Sequence, residues 1–348
     1  MNSAPGERRQ LMALMAALEN PALAAELPSD DPALAALARH HRLTPLLSIT
    51  CAGTLPTPLA EAFRRDRIVT AARNMLLAQV GEECIQALAA GGVRTIVLKG
   101  LDYETRLYRT VGVRPTADVD ILVPNEKRRA AFEVLDRLGF EPRAAAPGFD
   151  DPDYHEVAWT RAGVEVDLHM ALAPFARCSI DYPSVWREAE PFRMGQADAW
   201  VLAPTHAAIF QALHMAIDHF DVPAIYLVDL TKLIGRQEDQ DLVEREAGVW
   251  RCRRPLLTAM ALAREFLPVW AEQQAGRPAP WFAANVVTNY GTTKRLRRSD
   301  QLVRKLIHFD RGVDAVRYVI TQARRNVREL VEKHLRKRSA RERLTMDA

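Results

Sequence analysis

Asp118 and Asp120 are the residues of this chain whose type and spacing most directly suggest chemistry. The run Asp118-Val119-Asp120-Ile121-Leu122-Val123 alternates as a strand does, so both carboxylates project from one face, about 6.6 to 6.8 Å apart along the backbone. Such a pair can converge on hard divalent cations, which prefer oxygen ligands. Two cations about 3.5 to 4 Å apart neutralise a triphosphate, activate an acceptor oxygen and stabilise the leaving group in phosphoryl and nucleotidyl transfer. A lone Asp-x-Asp is weak by itself, because the same pair occurs in turns and on solvated faces.

Three neighbours strengthen it. Upstream, Lys99-Gly100 joins a short strand to a helix, where backbone amides and a lysine can hold phosphates. Arg114 and Thr116 precede the acidic strand and can bind the same phosphates. Asp167 projects from a later strand whose polar face also carries Glu165 and His169. Each has a plainer alternative: Lys99 snorkels, Arg114 pairs with a surface acid, and Asp167 lies on a solvated face.

The elements that must position these residues are legible around them. Val93 to Leu98 is a β-branched run ended by Gly100, and Asp102 to Tyr108 has a helical pattern. The acidic strand stops at Pro124, and Asn125 is expected to cap a helix with Ala130, Ala131, Val134, Leu135 and Leu138 on its apolar face, ending at Gly139. Tyr154 to Arg161 and Val164 to Met170 alternate on either side of Ala162-Gly163, a hairpin signal. Before this region, residues 7 to 90 are rich in Ala and Leu and punctuated by Pro28, Pro32, Pro56 and Pro58, which reads as several helices. After it, helices are expected over Ala207 to His219, Leu227 to Gly235 and Pro255 to Phe266, followed by a long basic stretch from Lys294.

With 348 residues, 48% of them hydrophobic, the chain can bury a sizeable core. Its 47 Lys and Arg against 44 Asp and Glu leave a net charge of +3, so no strong global pull toward nucleic acid or membrane is expected. Cys51, Cys84, Cys178 and Cys252 form no Cys-x-x-Cys pair and read as buried free thiols rather than a zinc module or disulfide framework. Leu11 to Leu18 reads as an ordinary helix rather than a signal segment, and no run long enough to span a membrane occurs, so a cytoplasmic location is expected.

Taken together, Leu98-Lys99-Gly100, Arg114-Pro115-Thr116-Ala117-Asp118-Val119-Asp120-Ile121-Leu122-Val123 and Val166-Asp167-Leu168-His169 resemble the bacterial nucleotidyltransferase-like proteins of the DNA polymerase β superfamily. The resemblance continues through Leu202 to His206, Ala212 to His214, His219 and Ile225 to Leu230, and spans roughly residues 35 to 235. It implies an α+β fold: a small mixed β-sheet nucleotidyltransferase core with helices packed on it, flanked by helical N- and C-terminal regions. The expected division is 1–85, 86–200 and 201–348. It implies Asp118, Asp120 and Asp167 as catalytic residues and ligands of Mg²⁺ or Mn²⁺, with Lys99, Gly100, Arg114, Thr116 and His169 around a nucleoside triphosphate. The superfamily usually has Gly-Ser at the first turn; Lys99-Gly100-Leu101 here lacks the serine hydroxyl, leaving the phosphate grip to backbone amides and Lys99.

The implied reaction transfers a nucleoside monophosphate to an acceptor hydroxyl or phosphate, with a peptide or small molecule among the acceptors the resemblance allows. Two alternatives stay open: a peptide- or glycan-tailoring transferase using a phosphorylated peptide or nucleotide-sugar in the same site, and an inactive nucleotide- or partner-binding module. His214 and His219 are poorly placed for chelation, being about 140° apart on a helix, whereas His214 and Asp229 are expected to approach each other behind the cleft. The basic stretch includes Lys294, Arg295, Arg297, Arg298, Arg304, Lys305, Arg324, Arg325, Arg328, Lys333 and Arg336. Nucleic acid binding there is not favoured, since no aromatic platform interleaves the charges. The plainer expectation is a helix whose apolar face, Ile307, Val313, Val316, Val319 and Ile320, packs inward.

Overall fold

The computed structural model describes residues 4–29, 31–143, 154–174, 177–235, 240–273, 279–291, 298–321, 323–324 and 327. Four helices lead in: α1 (Ala4–Glu19), α2 (Pro32–His40), α3 (Thr44–Thr50) and α4 (Thr57–Ala90). Pro28 and Pro56 lie between helices as expected, whereas Pro32 and Pro58 sit in first turns, where a missing N–H costs nothing. Pro32 opens α2, whose end is capped by the Asp31 carboxylate accepting the Ala33 N–H at 2.8 Å, and Pro58 lies in the first turn of α4. Helix α4 runs 34 residues because it serves two cores. Leu59 and Phe63 pack with the terminal helices, while Leu77, Val80, Cys84, Ile85 and Leu88 pack on the sheet.

Among the described residues the sheet has seven strands: β1 (Ile96–Val97), β2 (Val119–Leu122), β3 (Glu141–Pro142), β4 (Glu156–Arg161), β5 (Val164–His169), β6 (Glu190–Met194) and β7 (Ala197–Val201). Their order is β3-β4-β5-β2-β1-β7-β6; β2 is parallel to β5 and β1 to β7, and the remaining pairs are antiparallel. The expected β4–β5 hairpin forms, with Ala162 (φ 48°) and Gly163 (φ 78°) both left-handed, as a two-residue turn of matching twist requires. The hairpin of β6 and β7 was not among the expected elements.

Between β1 and β2 lie α5 (Lys99–Tyr103) and a π turn, Glu104–Tyr108. Helix α6 (Arg128–Arg137) buries Ala131, Val134 and Leu135 as expected, but it is entered through a 3₁₀ turn, Asn125–Lys127, so the residue at its N-cap is Lys127 rather than Asn125. The preceding Pro124 supplies the extended entry instead.

Beyond the sheet and α7 (Tyr182–Glu188), α8 (Pro204–Ile217), α9 (Ile225–Ile234), α10 (Gln240–Val249), α11 (Arg253–Phe266), α12 (Pro268–Gln273) and α13 (Ala284–Asn289) join the N-terminal helices in one core, while α14 (Arg298–Ile307) packs Ile307 on a separate small cluster of Ala261, Phe282 and Ala283. Polar ties bind the two ends of the chain. Arg8 donates to the carbonyls of Val287 and Tyr290, Glu19 accepts the N–H groups of Val269 and Trp270, and His41 Nδ1 accepts the Ala224 N–H. The described helical stretch 312–321 packs through Asp314 and Tyr318, leaving Val313, Val316, Val319 and Ile320 exposed rather than inward as expected. Lys294, Arg295, Arg297, Arg325, Arg328, Lys333 and Arg336 lie outside the described residues. Among the described residues no helix is long and apolar enough to cross a membrane. Cys51, Cys84 and Cys252 are buried, Cys178 is partly exposed, and all four are free thiols.

Candidate active site

The parity of β2 decides where its carboxylates go. Val119 and Ile121 enter the core under α4 and α6, whereas Leu122 joins the core shared with the terminal helices. Asp120, of the same parity as Leu122, therefore projects toward the helical side. Strand β5 runs parallel beside β2 with Asp120 paired to Asp167 and Val119 to Val166, so Asp120 and Asp167 stand side by side on one face. Two residues back, Asp118 and Glu165 each bring a ligand atom within 4.8 Å of Asp167. Four acidic side chains thus form a two-by-two array across adjacent strands.

Two overlapping sets within this array have ligand atoms within 4.8 Å of one another: Asp120, Asp167 and His169, and Asp118, Glu165 and Asp167. Asp167 belongs to both. The oxygen-rich donor set fits a hard divalent cation such as Mg²⁺ or Mn²⁺. Glu165, although its side was legible, was not expected among the ligands; its carboxylate also takes Arg143 Nη1 at 2.7 Å.

Asp120 is held by two cations of the chain itself. Lys99 Nζ lies 3.1 Å from Oδ1, and His169 Nε2 donates to the same oxygen at 3.0 Å, since a carboxylate can only accept. Oδ2 takes neither bond. Burial pushes the Asp120 carboxyl up, but Lys99 and His169 outweigh it and hold the group below the usual carboxylate range. Burial would lower Lys99, yet Asp120 and Asp118 keep it firmly charged. Asp118 is pushed up to about 6 by burial and by Asp120, and Asp167 to about 7 by the same two causes. A site that crowds carboxylates until two resist ionisation gains from a bound cation.

His169 reaches a second carboxylate that the sequence did not single out. Its Nδ1 is 3.4 Å from Glu156 Oε2, and β4 pairs Glu156 with His169 directly. Burial lowers the imidazole, but the hydrogen bond to Asp120 and the nearby charge of Glu156 together raise it above its ordinary value.

The turn that leads into α5 is unusual. Lys99 has φ 30°, a left-handed conformation rarely adopted outside glycine, and Gly100 is non-helical at φ 16°, ψ −95°. A Cβ on Gly100 would sit 2.7 Å from Thr116 Cγ2, so the turn and the Thr116 loop are in direct contact. Arg114, expected beside phosphate, is engaged elsewhere. Its Nη2 pairs with Asp229 Oδ2 at 2.9 Å, with the two side chains 3% and 0% exposed, and its Nη1 donates to Thr116 Oγ1 at 3.3 Å. Asp229 is bound by Arg114 and Tyr108 rather than by His214, whose ring neighbours are Phe210 and Tyr226.

Compared with known protein families, residues 28–268 match one described as uncharacterised nucleotidyltransferase. The chain belongs to this nucleotidyltransferase family. Membership supports nucleotidyl transfer in general terms, with a nucleoside triphosphate as the implied substrate, and so a transferase. A search of curated proteins found no match. Among solved structures, the solution structure of the antibiotic-resistance factor ANT(2'')-Ia is similar at 12% identity and a TM-score of 0.37, over 50% of this chain and 91% of that one. That likeness is too loose to assign a role to any residue of the nucleotidyltransferase.

Proposed function

We propose that this protein is a metal-dependent nucleotidyltransferase that moves a nucleoside monophosphate from a nucleoside triphosphate to an acceptor hydroxyl or phosphate. The observation that carries the reading is the parallel register of β2 and β5, which puts Asp118, Asp120, Glu165 and Asp167 on one face against Lys99. Asp118, Asp120 and Asp167 hold Mg²⁺ or Mn²⁺, with Glu165 at the outer edge. The bound cation supplies charge neutralisation for the triphosphate and the departing pyrophosphate.

The chain's own groups do the rest. Lys99 and the backbone at Gly100 take the phosphate end, Thr116 lines the same turn, and His169 orients Asp120. The acceptor oxygen attacks the α-phosphorus, the bond to the β-phosphate breaks, and the acceptor's proton passes to Asp167, which also orients it.

The test supplies each of the four nucleoside triphosphates with Mg²⁺ or Mn²⁺, and a low-molecular-mass cell extract as acceptor source. Pyrophosphate release by the wild type and none by Asp120→Asn supports the reading; equal release by both overturns it. The mass of the product identifies the group transferred and separates nucleotide from sugar transfer.

A further inference from the structure

We propose that Asp229, on α9, is a positioning residue for nucleotide binding: it holds Arg114, and Arg114 holds the Thr116 loop against the Lys99-Gly100 turn. This deepens the proposed function and rests on it. Asp229 is completely buried and fully engaged. Its Oδ1 accepts the Tyr108 hydroxyl at 2.7 Å, and its Oδ2 accepts Arg114 Nη2 at 2.9 Å and Nε at 3.3 Å. The guanidinium lies between Tyr103 and Tyr226, 5.7 and 5.6 Å from the ring centroids. Its remaining nitrogen reaches Thr116 Oγ1, and the Thr116 methyl closes on Gly100.

The same loop is fixed from two other sides. Asn74 of α4 accepts the Thr116 N–H and donates to the Arg114 carbonyl, and also donates to Glu104, which accepts the Gly112 N–H at 2.7 Å. Asp118 follows Thr116 by two residues. The strut therefore runs from the helical region, through one buried ion pair, to both the phosphate turn and the metal-binding carboxylates.

A buried ion pair is not needed for stability alone, because apolar residues of similar volume commonly replace one without loss. What they cannot replace is a donor to Thr116 Oγ1. Nor is Arg114 placed to serve phosphate directly while both its Nη2 and Nε are taken by Asp229.

The experiment compares wild type, Asp229→Asn and the apolar swap Arg114→Met with Asp229→Leu. Two readouts are used: calorimetric affinity for Mg²⁺ with ATP, GTP, CTP or UTP, and hydrogen exchange at the Gly112 and Thr116 amides. The swap is expected to keep its melting temperature within a few degrees, lose at least tenfold in affinity and exchange faster at both amides. Asp229→Asn, which leaves the guanidinium in place, is also expected to lose affinity. Unchanged or tighter binding in Asp229→Asn would assign Arg114 a direct phosphate contact and overturn the strut. If the wild type binds no triphosphate, the proposed function fails on its own, and the exchange data still decide: protection unchanged in the swap overturns the positioning role.

Discussion

Asp120 and Asp167 are paired across parallel strands, although 47 positions separate them in the sequence. Their carboxylates share a face only because β5 lies beside β2 in this register; a one-residue slip would turn Asp167 to the opposite face. Lys99 then makes the array tolerable by compensating Asp120 at 3.1 Å.

Removing that compensation is costly. Lys99→Met leaves a buried carboxylate beside two others with its main counter-charge gone, an uncompensated burial that costs about 3–5 kcal/mol when a buried pair is broken. Urea denaturation should show the loss without added metal. Mn²⁺ should raise the melting temperature of this variant more than that of the wild type, because the cation relieves more repulsion there. An unchanged denaturation midpoint would show that Lys99 is not the balancing charge.

The loop before the acidic strand depends on one glycine. Gly112 has φ 79°, and a Cβ there would lie 2.5 Å from the Cβ of Ala71 and 3.0 Å from its backbone nitrogen on α4. Gly112→Ala should therefore destabilise by about 2 kcal/mol, combining left-handed strain with a clash against helix backbone. A wild-type denaturation midpoint for this variant would contradict the packing described here.

Acid should loosen the junction between the terminal helices through His41. This imidazole is buried, and burial, with His40 adding to it, lowers its pKa from 6.5 to about 3. The unfolded chain takes up a proton below pH 6.5 while the folded chain does not until about pH 3. Stability is therefore full above about pH 6.5 and falls as pH drops from there toward 3, by about 2 kcal/mol at pH 5. His41→Asn keeps an acceptor for the Ala224 N–H and removes the titration, so its stability should vary less between pH 7 and pH 5. An equally steep loss would assign the acid sensitivity to other groups, such as the buried His308, lowered to about 4.

Much of this arrangement was legible in local pattern. Alternation fixed the face shared by Glu165, Asp167 and His169, and Ala162-Gly163 announced the hairpin that delivers them. The β6–β7 hairpin was less visible, since its inward positions Ala197 and Ala199 are too small to mark a strand by hydrophobicity. Arg114 was read as a phosphate ligand because its partner Asp229 lies 115 residues away, on a helix whose apolar pattern gives no hint of a buried acid's purpose. Glu156 was missed for a similar reason, as its contact with His169 arises from pairing between strands. The exposed valines of 313–320 follow helical periodicity, but periodicity marks a face without saying what lies against it.

The most direct test of the central claim is calorimetric titration of ATP, GTP, CTP and UTP, with Mg²⁺ or Mn²⁺, into the wild type and the Asp118→Ala/Asp120→Ala variant. Metal-dependent binding of at least one triphosphate to the wild type, lost in the variant, is the predicted result. Equal binding by both proteins, or no binding by either, would contradict the placement of the nucleotide at the β2–β5 carboxylates.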